Sequence, residues 1–188
     1  MHYGKKSIYT IGHGNRKIKD FLKTLKDFNI QYLIDVRSKP YSKFSPQFNQ
    51  NDLKHFLNQN EIIYVFMGDD IGGRPSDPTC YDDEGKVDYE RVKARDFFKK
   101  GMERLKTAYQ KNIPTVIMCS ESNPCECHRS KLIGRYLSAE KIFLQHIDEK
   151  NRLKTQADVI NELNKGLSDT TLFPNEITIN TTSRKSYI

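Results

Sequence analysis

No stretch of this 188-residue chain approaches the ~18 consecutive apolar residues that span a bilayer, so no membrane-crossing helix is expected. The N-terminus, Met-His-Tyr-Gly-Lys-Lys, lacks the apolar run and small-residue cleavage site of a secretory leader. The expected compartment is therefore the cytoplasm, with no membrane partner. Cysteine is scarce: there are four, and in a reducing compartment they point to reactivity or metal binding before disulfide scaffolding. No internal repeat or low-complexity segment is visible, which excludes solenoid and linker architectures. Negative charge is in deficit, with 24 Asp/Glu against 31 Lys/Arg and a formal charge of +7. Two readings stand for that excess: a polyanionic or phosphorylated partner, or an ordinary soluble surface rich in lysine.

What is present suits one folded domain. Apolar residues make up 36% and aromatic residues 11%, enough for a core at this length. Residues 7–12, 32–36, 62–66, 113–118 and 141–147 read as strands. Residues 17–28, 51–60, 92–111 and 130–137 read as helices, and Thr155 can cap a last one. This alternation predicts an α/β fold: one three-layer domain over residues 1–165, with a mainly parallel sheet of about five strands. Residues 166–188 read as a weakly structured polar tail, with Leu172, Phe173 and Ile177 as its packing candidates. The segments 37–50 and 68–91 are long for loops and so are candidates for function.

Three of the four cysteines fall in Cys119-Ser-Glu-Ser-Asn-Pro-Cys-Glu-Cys-His-Arg129, between a strand and a helix. That order suits an anion or nucleophile site. In a parallel sheet, ligands bind outside the carboxyl ends of the strands. Strand one ends in Gly-His13-Gly14, strand two in Asp35-Val-Arg37-Ser38, strand three leads to Gly72-Gly73-Arg74, and strand four ends at Cys119. All four would converge on one edge. Each also has a bland reading. His13 can satisfy a nearby carbonyl, Asp35 and Arg37 can form a structural ion pair, and Gly72-Gly73 can be a plain turn. Cys80, His55 and His146 read as structural.

The ordered set Thr10-Ile-Gly-His13, Asp35-Val-Arg-Ser38 with Pro40 and Ser42, Gly72-Gly-Arg74, and Cys119-x-Glu121-x-x-Pro124-x-x-Cys127-His-Arg129 resembles the domain-of-unknown-function 488 family over roughly residues 7–147. The resemblance implies an α/β fold and a shared site. The family usually carries Ser where this chain has Gly14, and Cys125 stands outside its pattern. Asp-Val-Arg is also similar to a segment of rhodanese-like domains, and the strand–cysteine-loop–helix order to cysteine-dependent phosphatases. The phosphatase loop requires Arg six residues after its Cys. Here that residue after Cys119 is Cys125, and Cys127 is followed directly by His128-Arg129, so that chemistry does not carry over.

The residues themselves suit an enzyme on a phosphate-bearing substrate, a nucleotide or nucleic acid. Cys119 and Cys127 are the nucleophile or redox candidates. Glu121, His128, Asp35 and His13 are acid–base or orienting groups, with Glu121 serving as acid or base if its environment raises its pKa. Arg37, Ser38, Gly72, Gly73, Arg74 and Arg129 are the anion-binding candidates. Two alternatives stay open. One is a zinc or iron site on Cys119, Cys127 and His128, with Glu121 or Cys125 as a further donor. The other is a non-catalytic nucleic-acid module in which Tyr41, Phe44 and Phe48, interleaved with Arg37, Lys39 and Lys43, stack on bases.

Overall fold

The central strands of the sheet are short, largely apolar runs buried on both faces, as parallel strands covered by helices must be. A computed structural model describes residues 7–168 and 182–187. The six strands of the main sheet are β1 (Ile8–Gly12), β2 (Tyr32–Asp35), β3 (Ile63–Phe66), β5 (Thr115–Cys119), β6 (Leu144–Ile147) and β7 (Leu153–Thr155). Their order is β3-β2-β5-β1-β6-β7. The first five are mutually parallel, and β7 joins β6 antiparallel. The fold is thus the expected α/β type, with an extra antiparallel edge strand.

Side-chain alternation along β5 sends Val116 and Met118 to one core and Ile117 and Cys119 to the other. On the first face lie α1 (Ile18–Asp27) and α2 (Gln50–Asn58), anchored by Phe21, Leu25, Leu53 and Leu57. On the opposite face lie α3 (Gly68–Ile71), α4 (Tyr89–Lys93) and α5 (Asp96–Gln110), through Ile71, Val92, Phe98 and Met102. A helix follows β5 on that face too, beginning as a π-helical stretch, Arg129–Gly134, and ending as α6 (Arg135–Ala139). The last helix, α7 (Gln156–Ser168), starts with Thr155 and Asp158 bonded reciprocally: Thr155 N donates to Asp158 Oδ2 at 2.8 Å, and Asp158 N to Thr155 Oγ1 at 3.1 Å.

Three expectations change. The helix foreseen over residues 92–111 is two, broken at Arg95, which is extended (ψ 144°) and pairs with Asp77 at 3.4 Å. The strand foreseen from residue 141 starts at Leu144, because Lys141 turns through a left-handed φ of 59°. Within 68–91 lies a strand, β4 (Lys86–Asp88), which pairs antiparallel with β8 (Thr182–Ser186). Part of the segment read as a tail is therefore ordered. Leu172, Phe173 and Ile177 lie outside the described residues. Among the described residues no helix is long and apolar enough to cross a membrane.

Candidate functional site

Strands β2, β5 and β1 lie side by side and parallel, so their carboxyl ends deliver three of the predicted segments to one edge. Gly12 pairs with Cys119 and Asp35 with Met118. His13 N then bonds Cys119 O at 3.0 Å.

At the end of β2 the Asp35 carboxylate accepts from Arg37 Nε at 2.9 Å and Nη2 at 2.6 Å, and from the Tyr64 hydroxyl at 2.7 Å. Burial and the Asp35 charge push the Tyr64 pKa up, so it remains a donor. Arg37 Nη2 also donates to Phe48 O at 2.7 Å, and Nη1 lies 3.3 Å from His13 Nε2. His13 Nδ1 is 2.9 Å from Gly14 O and so carries the proton, leaving Nε2 as an acceptor. Burial pushes the His13 pKa down, and its ring stacks on Phe48 at 4.5 Å. Asp35, Tyr64 and His13 together fix the Arg37 fork, which faces a cleft. The structural ion pair foreseen for Asp35 and Arg37 is present, and Arg37 also lines the cleft. Gly14 has φ +48°, and a Cβ there would lie 1.9 Å from Ser122 Oγ, so this turn requires glycine.

Gly72 N closes the turn after α3 onto Gly68 O at 3.1 Å. Ser38 Oγ accepts from Arg74 N at 2.9 Å. Gly73 lets His128 approach: a Cβ there would lie 2.7 Å from its Nδ1. The other ring nitrogen, Nε2, donates to Val36 O at 3.1 Å. Burial pushes the His128 pKa down, so the imidazole is neutral with its Nδ1 lone pair towards the glycine turn.

Cys119 and Cys127 meet at the cleft floor, Sγ to Sγ 3.4 Å. All four cysteines are free thiols. Arg129 Nε donates to Cys127 Sγ at 3.1 Å. Burial pushes the Cys119 thiol well up. For Cys127, burial is outweighed by the Cys119 hydrogen bond and by Arg129, and the thiol lies below its ordinary value. Of the two, Cys127 is therefore the one that ionises more readily, and Cys119 holds its proton more tightly. Burial raises Glu121, but hydrogen bonds and the Arg129 guanidinium outweigh it and hold the carboxyl below its usual range. Glu121 is thus suited to act as a base or ligand, and the raised pKa considered for it is not found.

Arg129 does not reach the cleft as an anion clamp. It is fully buried, and Nη2 donates to Glu121 O at 2.8 Å and Ser122 O at 2.9 Å. Its place is beneath the cysteines. Cys125 faces α7, with Sγ 3.6 Å from Val159 O, and burial pushes its pKa up to about 11. Cys119 Sγ, a Glu121 carboxylate oxygen and Cys127 Sγ lie within 4.8 Å of one another, a donor set that a metal ion can use. Glu121 takes the place foreseen for His128 in that set.

The cleft has a volume of about 430 Å³. Lys39 and Tyr41, named above as base-stacking and phosphate-contact candidates, also line it, and beyond the predicted residues so do Tyr89, Arg184, Lys185 and Tyr187. The β8 residues carried no signal beyond an Arg-Lys pair in a polar segment. The Arg74 guanidinium lies 4.2 Å from the Tyr187 ring centroid, and Arg184 pairs with Glu126 at 3.1 Å, so β8 forms one wall.

Against known proteins, the family described as Domain of unknown function DUF488 matches residues 17–137. No curated protein and no solved structure matches the chain.

Proposed function

The chain belongs to the DUF488 domain family, and we propose that its cleft is the active site of an enzyme acting on a phosphate-bearing substrate, a nucleotide or nucleic acid. One observation carries this reading. Cys127 Sγ, 3.1 Å from Arg129 Nε and 3.4 Å from Cys119 Sγ, lies at the floor of a cleft whose walls present Arg37, Lys39, Arg74, Arg184 and Lys185. A guanidinium beside a sulfur favours its nucleophilic form, and a cleft lined by lysine and arginine cations favours phosphoryl oxygens. In this reading Cys127 is the nucleophile candidate, Cys119 its thiol neighbour and proton holder, and Glu121 the carboxylate placed to accept a proton. Arg37, Ser38, Gly72, Gly73 and Arg74 receive the anion, while His13, Asp35 and His128 hold their neighbours in place.

Thiol labelling tests the site whatever reaction it catalyses. Iodoacetamide should modify Cys127 ahead of buried Cys80, inorganic pyrophosphate should protect it, and Arg74→Ala should abolish the protection. Unprotected or unreactive Cys127 overturns the reading. A second reading rests on the Cys119–Glu121–Cys127 donor set, since zinc accepts thiolate and carboxylate ligands. Elemental analysis of the purified protein decides it: stoichiometric zinc lost in Cys119→Ser supports the metal site, and metal-free protein rejects it.

A further inference from the structure

The outer half of the cleft is built by two segments that the cysteine chemistry does not use. One is residues 38–45, and the other is β8, which lies beyond the family-matched region. Both are basic. Between Asp35 and Asp52 the chain has no carboxylate but carries Arg37, Lys39 and Lys43, and β8 carries Arg184 and Lys185 without an acid. The two acids lining the cleft are engaged: Glu126 pairs with Arg184 at 3.1 Å, and Glu121 sits against the cysteines.

The loop that brings Lys39 to the cleft displays two aromatic rings to solvent: Tyr41, which lines the cleft, at 69% exposure, and Phe44, three residues further on, at 98%. They are held out by a tied loop. Ser42 N donates to Asn49 Oδ1 at 2.7 Å, Phe44 N to Ser42 Oγ at 3.1 Å, and Gln50 N to Pro40 O at 3.0 Å. Phe48, the third ring of the interleaved sequence, is buried against His13 and takes no part. Single exposed rings are common on protein surfaces. Two rings three residues apart, beside a cation-lined cleft, combine the stacking faces and the electrostatic track that single-stranded nucleic acid uses.

We infer that the substrate is a single-stranded polynucleotide, its backbone entering between Lys39 and the Arg184-Lys185 pair while Tyr41 and Phe44 stack on flanking bases. This rests on the phosphate reading above and narrows it. Stacking requires bases free of a duplex partner, and a cleft of about 430 Å³ admits a nucleotide rather than a double helix.

Fluorescence anisotropy with labelled ten-residue oligo-dT tests it. The oligonucleotide should bind more tightly than a mononucleotide, with log K falling linearly against log salt by about 0.7 per phosphate neutralised. Tyr41→Ala and Phe44→Ala should each weaken binding about 5- to 100-fold at an unchanged salt slope. The double variant R184A/K185A should flatten the slope by about one unit. Unchanged melting temperatures confirm that these surface variants fold. Neutral Tyr41 and Phe44 variants, tighter binding of the matching duplex, or equal binding of poly-glutamate overturns the inference. If pyrophosphate still protects Cys127 while oligonucleotides bind no better than mononucleotides, only this inference falls. If pyrophosphate also fails to protect, the phosphate reading falls with it.

Discussion

Asp35 shows how much of the cleft depends on groups that never touch its solvent. It is fully buried, and its oxygens are taken by Arg37 and Tyr64. Asp35→Asn would leave the Arg37 charge buried without a counterion, which costs about 3–5 kcal/mol. Tyr64→Phe removes one neutral donor to a carboxylate and should cost only about 1–2 kcal/mol. Urea unfolding of the two variants measures the contrast, and equal losses would show that the ion pair does not dominate this corner. At this scale the sequence was informative about which residues gather and less so about which way they point. Asp35, Cys119 and His13 were legible because strand ends place them, and strands alternate predictably. The direction of Arg129 was not, because a side chain at a helix start can face the cleft or the core. Here the carbonyls of Glu121 and Ser122 draw it inward.

Among the elements, those with strong apolar periodicity were readable. The α1 and α2 faces follow their hydrophobic spacing, and the capping of α7 by Thr155 follows from its residue type. Thr155→Ala should cost about 1 kcal/mol by removing the oxygen that caps Asp158 N, and Asp158→Ala a similar amount. Thermal melts read both losses, and the double variant should cost less than their sum because the two bonds are reciprocal. The break at Arg95 was illegible. No proline or glycine marks Lys93-Ala-Arg-Asp96, and what accompanies the break is a tertiary ion pair of Arg95 with Asp77. The β4–β8 pair was hidden for a related reason: β4 is three residues long, and its bond from Val87 N to Ser183 Oγ crosses 96 positions of sequence.

For the whole molecule, buried histidines set the response to acid. His146 is fully buried, with Nδ1 2.7 Å from Thr10 Oγ1 and Nε2 2.7 Å from Gln156 Oε1. An amide oxygen only accepts, so Nε2 carries the proton and Nδ1 receives the Thr10 hydroxyl. Burial, aided by Arg129, pushes the His146 pKa down to about 4. The unfolded chain, with its histidine near the ordinary value of about 6.5, binds more protons between these limits. Stability is therefore full above about pH 6.5 and falls as the pH drops towards 4. This single group contributes up to about 3 kcal/mol of that loss. His146→Gln should be less stable at pH 7 but show a shallower decline across the same window. The slope does not vanish, since His13 and His128 are shifted in the same direction. Denaturation midpoints measured at intervals from pH 7 to 4 give both slopes, and parallel curves would refute the assignment.

The wall formed by β8 lies outside the residues that define the family, whereas the cysteine floor lies within them. Under the proposed reading, that wall can change without disturbing the cysteines below it. Two relatives could then perform one reaction on different partners, and grafting the last few residues of one onto the other would exchange their preferences.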